Sequence, residues 1–366
     1  MIHCCQRQPC EGEKKMDMNL GISSYCLSRK LYSKEWTLFQ IMDWAKEHEC
    51  AHMEVVPFGL PLFKEDGVAD MDFAKKIGEY ADKIGLPLSA FSLNACVIRP
   101  GDDEEQGASS RERNVTVQYH GTREDKYHQE IARIETIMNM AKAMGIGKFR
   151  SDVCSGAHPL RKNTPEQFEE DFPTFVRAVK ELADYAASIG LNLTLENHGL
   201  YVNGADRLIR ILRAAGKENV GLTMDVGNYL CVDEDPVVSV SKAIRYADMI
   251  HLKDFYIRSV DKMYPQDGMY VNFPNMPNVK QRKRPATPEE WAAMIPRFGY
   301  VGTAAGNTIL RGAIIGQGDM DMWKIISIIK RSGYEKEISL EFEGMEDCVA
   351  GTTYGLETAR YIWANV

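Results

Sequence analysis

The sequence has no uninterrupted apolar run of about 18 residues, so no hydrophobic membrane-spanning helix is expected. It has nine cysteines but no Cys-x-x-Cys pair, no regular spacing between them and nothing resembling a secretory signal. An odd number of scattered cysteines suits reduced thiols in a cytoplasm better than a disulfide framework. No Gly-x-Gly-x-x-Gly follows the first strand-like run and there is no P-loop, so nothing supports dinucleotide or nucleoside triphosphate binding. Positive charge is also scarce: 44 Lys and Arg stand against 52 Asp and Glu, a formal net charge of −8. That balance argues against a large nucleic-acid footprint and leaves room only for a local basic pocket. Residues 1–18 carry Cys4, Cys5 and Cys10 among polar and charged neighbours and lack the apolar core of a signal peptide. They are expected to form a disordered extension. A zinc site built from His3 and these three cysteines would need a second half-site that is missing.

The remainder, residues 19–366, is long enough for one large domain, and the whole sequence's 44% hydrophobic and 26% charged residues are ordinary for a globular protein. Strand-like runs occur at 19–25, 52–56, 86–93, 148–153, 191–196, 220–225, 247–253 and 337–341. Between and after them, helical spacing of apolar residues occurs at 37–48, 71–84, 127–144, 165–188, 207–215, 236–246, 320–332 and 356–364. Thr164-Pro-Glu-Gln167 is a helix-opening pattern, with a capping hydroxyl, proline in the first turn and Gln three residues on. Eight alternating units imply parallel strands joined by right-handed crossovers. They close most naturally into a (β/α)8 TIM barrel, whose core usually takes about 250 residues. An open doubly wound sheet competes, but it would not bring strands five to eight around one mouth. Two stretches interrupt the alternation. Residues 94–126 form a polar, Gly/Asp/Glu-rich loop insertion. Residues 255–318, a long insertion between strands seven and eight, hold Pro265, Pro274, Pro277, Pro285, Pro288 and Pro296, with one short helical candidate at 288–294. A lid or a subunit contact is expected there.

Four of the strand-like runs end in side chains able to bind metal: Glu196, Asp225, His251 and Glu341. Alternation sharpens the reading. In strand five Leu191, Leu193 and Leu195 share one face, leaving Asn192, Thr194 and Glu196 on the other. Strand six opposes Val220, Leu222 and Met224 to Gly221, Thr223 and Asp225, and strand eight opposes Ile338 and Leu340 to Ser339 and Glu341. With the bulky residues facing the helices, each candidate ligand points into the barrel at the carboxyl rim, where barrel enzymes place their active sites. Three carboxylates gathered without a cation would raise one another's pKa, a conflict that one divalent ion resolves. The donor set suits Mn²⁺, Mg²⁺ or Co²⁺, with Mn²⁺ the first candidate, and ligand type alone leaves Zn²⁺ open.

Residues two further along share the inward side, which nominates His198, Lys253 and Glu343 as neighbours. His198 and His158 are candidates for substrate contact or for ordinary loop roles. Lys253 is a candidate for neutralising an enolate or phosphate. Arg311 is a candidate for a substrate hydroxyl, phosphate or carboxylate, or for a salt bridge in the insertion. Glu54 and Arg150, near the ends of strands two and four, read as structural ion-pairing residues. Gln281-Arg-Lys-Arg284 reads as a solvated loop cluster.

The motifs Leu195-Glu-Asn-His-Gly199, Met224-Asp-Val-Gly-Asn228, Ile250-His-Leu-Lys-Asp254 and Ser339-Leu-Glu-Phe-Glu-Gly344 together resemble the xylose-isomerase-like sugar phosphate isomerase/epimerase family, from residue 19 to the C-terminus. The resemblance implies that Glu196, Asp225, His251 and Glu341 hold one divalent metal, and that Glu196 and Glu341 flank the substrate carbon as catalytic residues and move its proton. The implied reaction is isomerisation or epimerisation of a ketose or keto-polyol, by proton abstraction α to a metal-bound carbonyl through an enolate. A leaving group β to that carbonyl would turn the same chemistry into a lyase. Two versions are a C-glycoside deglycosidase acting with a small partner subunit and a keto-polyol dehydratase. A sugar-binding subunit without activity is a further alternative. Two departures narrow the reading: Asn228 stands where epimerases of the family often have histidine, and the additional histidines of the endonuclease branch are missing. The expected partners are a small carbohydrate substrate and other copies of the chain or a small second subunit, with no nucleic acid and no membrane.

Overall fold

The computed structural model describes residues 17–104, 119–156, 158–160, 162–259, 300–303 and 308–366. The expectations for residues 1–16, for the centre of the loop insertion, for the helix at 288–294 and for the cluster at 281–284 lie outside the described residues. Eight parallel strands close a barrel: β1 (Leu20–Ser23), β2 (Met53–Val55), β3 (Leu88–Leu93), β4 (Lys148–Ser151), β5 (Asn192–Glu196), β6 (Val220–Asp225), β7 (Ala247–Leu252) and, far along the chain, β11 (Ile338–Leu340). β11 fits between β7 and β1, so the (β/α)8 expectation holds. Nine α-helices occur among the described residues: α1 (Ser28–Tyr32), α2 (Leu38–Glu47), α3 (Met71–Ile84), α4 (Arg123–Ala143), α5 (Pro165–Ser188), α6 (Ala205–Ala215), α7 (Pro236–Ala243), α8 (Met322–Arg331) and α9 (Cys348–Asn365). None is long and apolar enough to cross a membrane.

Period-two alternation decides which face each strand buries. Leu193, Leu195, Leu222, Met224, Ile250, Leu252, Ile338 and Leu340 are all at most 1% exposed and belong to the core shared with the helices. The alternate residues are small or polar and also buried: Ser92, Thr194, Thr223 and Ser339, with Thr223 Oγ1 2.7 Å from Thr194 Oγ1. Many barrels fill this space with branched aliphatic side chains. Here it is polar, which leaves room for charged groups at both ends. The helices seal the outside by their own periodicity. In α6 the buried Leu208, Ile211, Leu212 and Ala215 fall at i, i+3, i+4 and i+7, one stripe of a 3.6-residue helix. Burying each Leu or Ile of that stripe contributes about 1.5–3 kcal/mol. Gly216, left-handed at φ 61°, ends the helix.

Several boundaries differ from the sequence expectation. α4 begins at Arg123, inside the expected loop insertion, because Thr122 and Asp125 form a reciprocal capping box. The last helix begins at Cys348, two turns before the periodic stretch expected at 356–364. Gly351, Thr352, Thr353 and Gly355 hide its helical character, yet the glycines are what let it lie against β11. A Cβ at Gly355 would stand 2.8 Å from Leu340 Cδ1, and one at Gly351 would run into the Phe342 ring. The insertion after β7, expected to lack regular structure apart from one short helix, contains β8 (Asp254–Ser259), β9 (Tyr300–Gly302) and β10 (Thr308–Ala313). These pair antiparallel in the order β8-β10-β9, outside the barrel. A helix-shaped search for apolar spacing passes over such strands.

Candidate metal and catalytic site

Strand register assembles the site. Asp225 pairs with His251 across β6 and β7, and Ser339 pairs with His251 across β7 and β11. Glu341, two residues past Ser339, donates its backbone N–H to Leu252 O at 2.9 Å. Glu196 ends β5 beside Thr223. One ligand atom from each of Glu196, Asp225, His251 and Glu341 lies within 4.8 Å of the others, and all four residues are buried.

His251 is held from two sides. Its Nδ1 lies 3.0 Å from Glu196 Oε1 and 3.5 Å from Glu341 Oε1, while Nε2 lies 2.9 Å from Glu54 Oε2. Glu54 is wholly buried in the middle of β2 and accepts a hydrogen bond from Ser92 Oγ. A carboxylate beside the far nitrogen favours a proton there and leaves Nδ1 as the candidate ligand atom, an arrangement common behind metal-binding histidines, although Nε2 and Glu54 Oε2 do not form an aligned hydrogen bond. Asp225 is aimed by its own turn. Its Oδ1 accepts the N–H groups of Gly227 at 2.8 Å and Asn228 at 2.9 Å, which turns Oδ2 toward the cluster. Asn197 ties β5 to β6, accepting from Asp225 N and donating to Asp225 O, each at 2.8 Å. Asn228 donates to Glu196 Oε1 at 3.3 Å and to Asn197 O at 3.0 Å.

Two fixed cations border the carboxylates. Lys253 Nζ lies 3.0 Å from Asp225 Oδ2, 2.9 Å from Glu341 Oε2 and 3.9 Å from Glu343 Oε1. Arg150 reaches Glu196 Oε2, Asp152 Oδ1 at 3.2 Å and Asn94 Oδ1 at 3.0 Å. Burial disfavours the Lys253 ammonium, but Asp225, Glu343 and Glu341 outweigh it and raise its pKa well above the ordinary value. Burial likewise pushes Glu341 up, yet Lys253, His251 and Arg150 hold it at about 2. His251 is raised despite burial, with Glu54 and Glu341 the leading carboxylates. Lys253 therefore stays charged, and Glu341 beside it is ionised.

The donors present fit a divalent cation. Glu196 Oε2 and Asp225 Oδ2 are buried and lie against Arg150 and Lys253, but neither receives an aligned hydrogen bond. Glu54, Asp152, Glu196, Asp225, Glu341 and Glu343 outnumber Arg150 and Lys253, so the rim has negative charge to spare. Glu196, Asp225, His251 and Glu341 would hold the ion. A second grouping, Asp152, Glu196 and His198, shares Glu196, but the Arg150 guanidinium already occupies it.

Of the residues nominated from sequence, the four candidate ligands and Lys253 come together, Glu343 borders them, and His198 stands beside them through Asp152 Oδ2 at 3.1 Å. His158 is engaged elsewhere: its Nε2 lies 3.2 Å from Asp171 Oδ2 and its ring packs edge-on against Tyr201. Arg311 Nη2 lies 2.6 Å from Glu346 Oε1, and its guanidinium lies 5.3 Å from the Tyr256 ring centroid. Neither is brought into the cluster. Arg150 and Glu54 do form the ion pairs expected of them, but their partners are Glu196 and His251, inside the site. Asp152 and Asn197 were missed. A polar residue just past a strand end was the available signal, and many loops carry it.

Comparisons with known proteins agree with this fold. The sequence model of the family described as "xylose isomerase-like TIM barrel" matches residues 42–361. No curated protein sequence matches the chain. Among solved structures, the IOLI protein with a bound zinc atom superposes with a TM-score of 0.59 at 14% identity, covering 95% of this chain and 99% of that one. An L-ribulose 3-epimerase gives 0.57 at 14% identity, covering 94% and 96%. The E. coli 3-keto-D-glucoside 4-epimerase YcjR gives 0.56 at 10% identity, covering 94% and 100%. At these identities the structural likeness speaks to fold, and the sequence match over most of the chain speaks to descent. The chain belongs to the xylose isomerase-like TIM barrel family.

Proposed function

We propose that the protein is a divalent-metal-dependent isomerase or epimerase acting on a ketose or keto-polyol. One observation carries the reading: two carboxylates from different strands, Glu196 and Glu341, converge on His251 Nδ1 at 3.0 and 3.5 Å in one buried cluster. When bound, the metal supplies Lewis-acid polarisation of the substrate carbonyl, which makes the neighbouring C–H acidic. The protein's own groups do the rest. Glu341, ionised through Lys253, is poised to take a proton at a carboxylate oxygen, and Glu196, entering the step protonated, gives its proton from the other side of the cluster. Removal and return on opposite faces epimerises the carbon; return to the neighbouring carbon isomerises the sugar. Lys253 Nζ supplies positive charge beside the base, and Arg150 keeps Glu196 oriented through Oε2. Mn²⁺ is the first metal to try.

The test is deuterium exchange from solvent into a panel of ketoses with Mn²⁺, in the native protein and in Glu196→Gln and Glu341→Gln. Each variant is expected to lose about 10²–10⁴-fold in exchange, the usual contribution of a positioned base. Undiminished exchange in both variants, with metal content retained, would overturn the two-carboxylate mechanism. Elimination product in place of exchanged ketose would move the reaction to a lyase.

A further inference from the structure

Two thiols meet at the rim of the barrel, outside the metal cluster. Cys96 follows β3 and Cys154 follows β4, and the two face each other across an isolated antiparallel bridge. Val97 N donates to Val153 O at 2.9 Å and Ser155 N donates to Ala95 O at 2.8 Å. The bonds flank the cysteines without joining them, so the two form a non-hydrogen-bonded pair. That is the pair type whose Cα atoms approach to about 4.5 Å. Disulfides bridge Cα atoms about 4.4–6.8 Å apart, so the backbone already stands within bonding geometry. The sulfurs are 3.5 Å apart.

The two thiols are also chemically unequal. Cys96 is half-buried, whereas Cys154 is 1% exposed. The sulfur–sulfur contact with Cys154 lowers the Cys96 pKa against the opposing effect of burial, and the Arg99 charge helps. Cys154 is raised by the same contact and by burial. The other described cysteines are all raised by burial: Cys26 strongly, Cys50 and Cys231 to about 12, and Cys348 less. Cys96, the more exposed of the pair, is the sulfur a small disulfide can reach, and Cys154, buried 3.5 Å behind it, is placed as the resolving thiol.

We propose that Cys96 and Cys154 form a thiol–disulfide exchange site for low-molecular-weight disulfides of the glutathione type. The Cys96 thiolate attacks one sulfur of the disulfide, forming a mixed disulfide and releasing one thiolate, which takes up a proton. Cys154 then gives up its proton to solvent and attacks the Cys96 sulfur. The Cys96–Cys154 bond forms, the mixed bond breaks, and the second small thiol departs. Two protein thiols are oxidised while one small disulfide is reduced to two thiols. The product is a covalent tie between the segment after β3, which holds Asn94, and the segment after β4, which holds Asp152; Arg150 contacts both. This inference does not depend on the sugar chemistry proposed above.

Equilibrating the native full-length chain with oxidised glutathione, trapping free thiols by alkylation and mapping the peptides tests it. The expected result is a cross-link joining the peptides that contain Cys96 and Cys154, reversed by reduced glutathione. Cys154→Ser should instead accumulate glutathione on Cys96, and Cys96→Ser should leave Cys154 alkylatable only after unfolding. The mapping of the unsubstituted protein is decisive even if a variant fails to fold. Cys96 and Cys154 both still reduced while other cysteines have reacted would overturn the proposal.

Discussion

Glu54 shows how much one side chain behind a ligand can decide. It is wholly buried and lies 2.9 Å from His251 Nε2, on the side of the ring away from Glu196 and Glu341, so it bears on which nitrogen would face the proposed metal. In Glu54→Gln the amide can donate to Nε2 and drive the proton onto Nδ1, the nitrogen facing Glu196 and Glu341. Metal affinity is expected to fall about 10–100-fold, the usual loss for such a partner. A competition titration with a chromophoric chelator measures it, and unchanged affinity would show that Nδ1 is not the ligand atom. Glu54 is also where the sequence stopped being legible. Glu196, Asp225 and Glu341 each end an apolar run, so alternation exposes them. Glu54 sits inside one, with Val55 and Val56 continuing past it. Only barrel closure brings β2 within reach of β7, and no local pattern records that contact. Arg150 and Asp152 stayed obscure for the same reason: their partners stand on other strands or loops.

Elements show a similar division. Strands with strict alternation and helices with strong stripes were readable, whereas elements bearing function or close packing departed from the pattern. α4 is one case, because it anchors the segment after β3. Glu130, wholly buried, pairs with Arg133 at 2.8 Å and Arg99 at 3.4 Å, and accepts from Cys96 N at 2.9 Å and from Tyr119 Oη. Burial pushes this carboxyl up, but Arg133, Arg99 and Tyr119 outweigh it and hold it at about 2 against an ordinary 4.5. The folded pKa lies below the unfolded one, so the stabilisation is complete above about pH 4.5 and is lost as pH falls toward 2. Glu130→Gln should lose about 3–5 kcal/mol at neutral pH and show a shallower acid limb in that window, read by urea melts from pH 7 downward. α9 is the other case. Gly351→Ala should destabilise by about 1–3 kcal/mol despite alanine's better helix propensity, because the new methyl meets the Phe342 ring. A denaturation midpoint at or above that of the native protein would show that the ring can move aside.

At the scale of the whole molecule, the two ends of the barrel divide the work. At the amino end Lys148 enters the barrel and meets Glu337 Oε2 and Asp248 O, each at 2.7 Å. This plug lies at the opposite end of the strands from the four ligands. Lys148→Met is expected to lower stability by about 1–3 kcal/mol, by leaving partly buried acceptors without their donor, while metal affinity stays unchanged. Paired urea melts and metal titrations separate the two effects, and a parallel fall in affinity would show that the ends are coupled. The global architecture was the most legible level of all, because eight repeats of one strand–helix unit allow few closures. The antiparallel ribbon was the least legible, since strands outside the repeat carry no periodic cue.

That ribbon grows out of β7 with a single residue, Lys253, between Leu252 and Asp254. Asp254 clamps the junction, accepting from Gly316 N at 2.8 Å and Gly318 N at 3.0 Å, and there is no room for a Cβ at Gly318. The ribbon and the candidate site therefore share one anchor: the clamp holds Asp254, which is both the first residue of β8 and the residue that follows Lys253, itself two past His251.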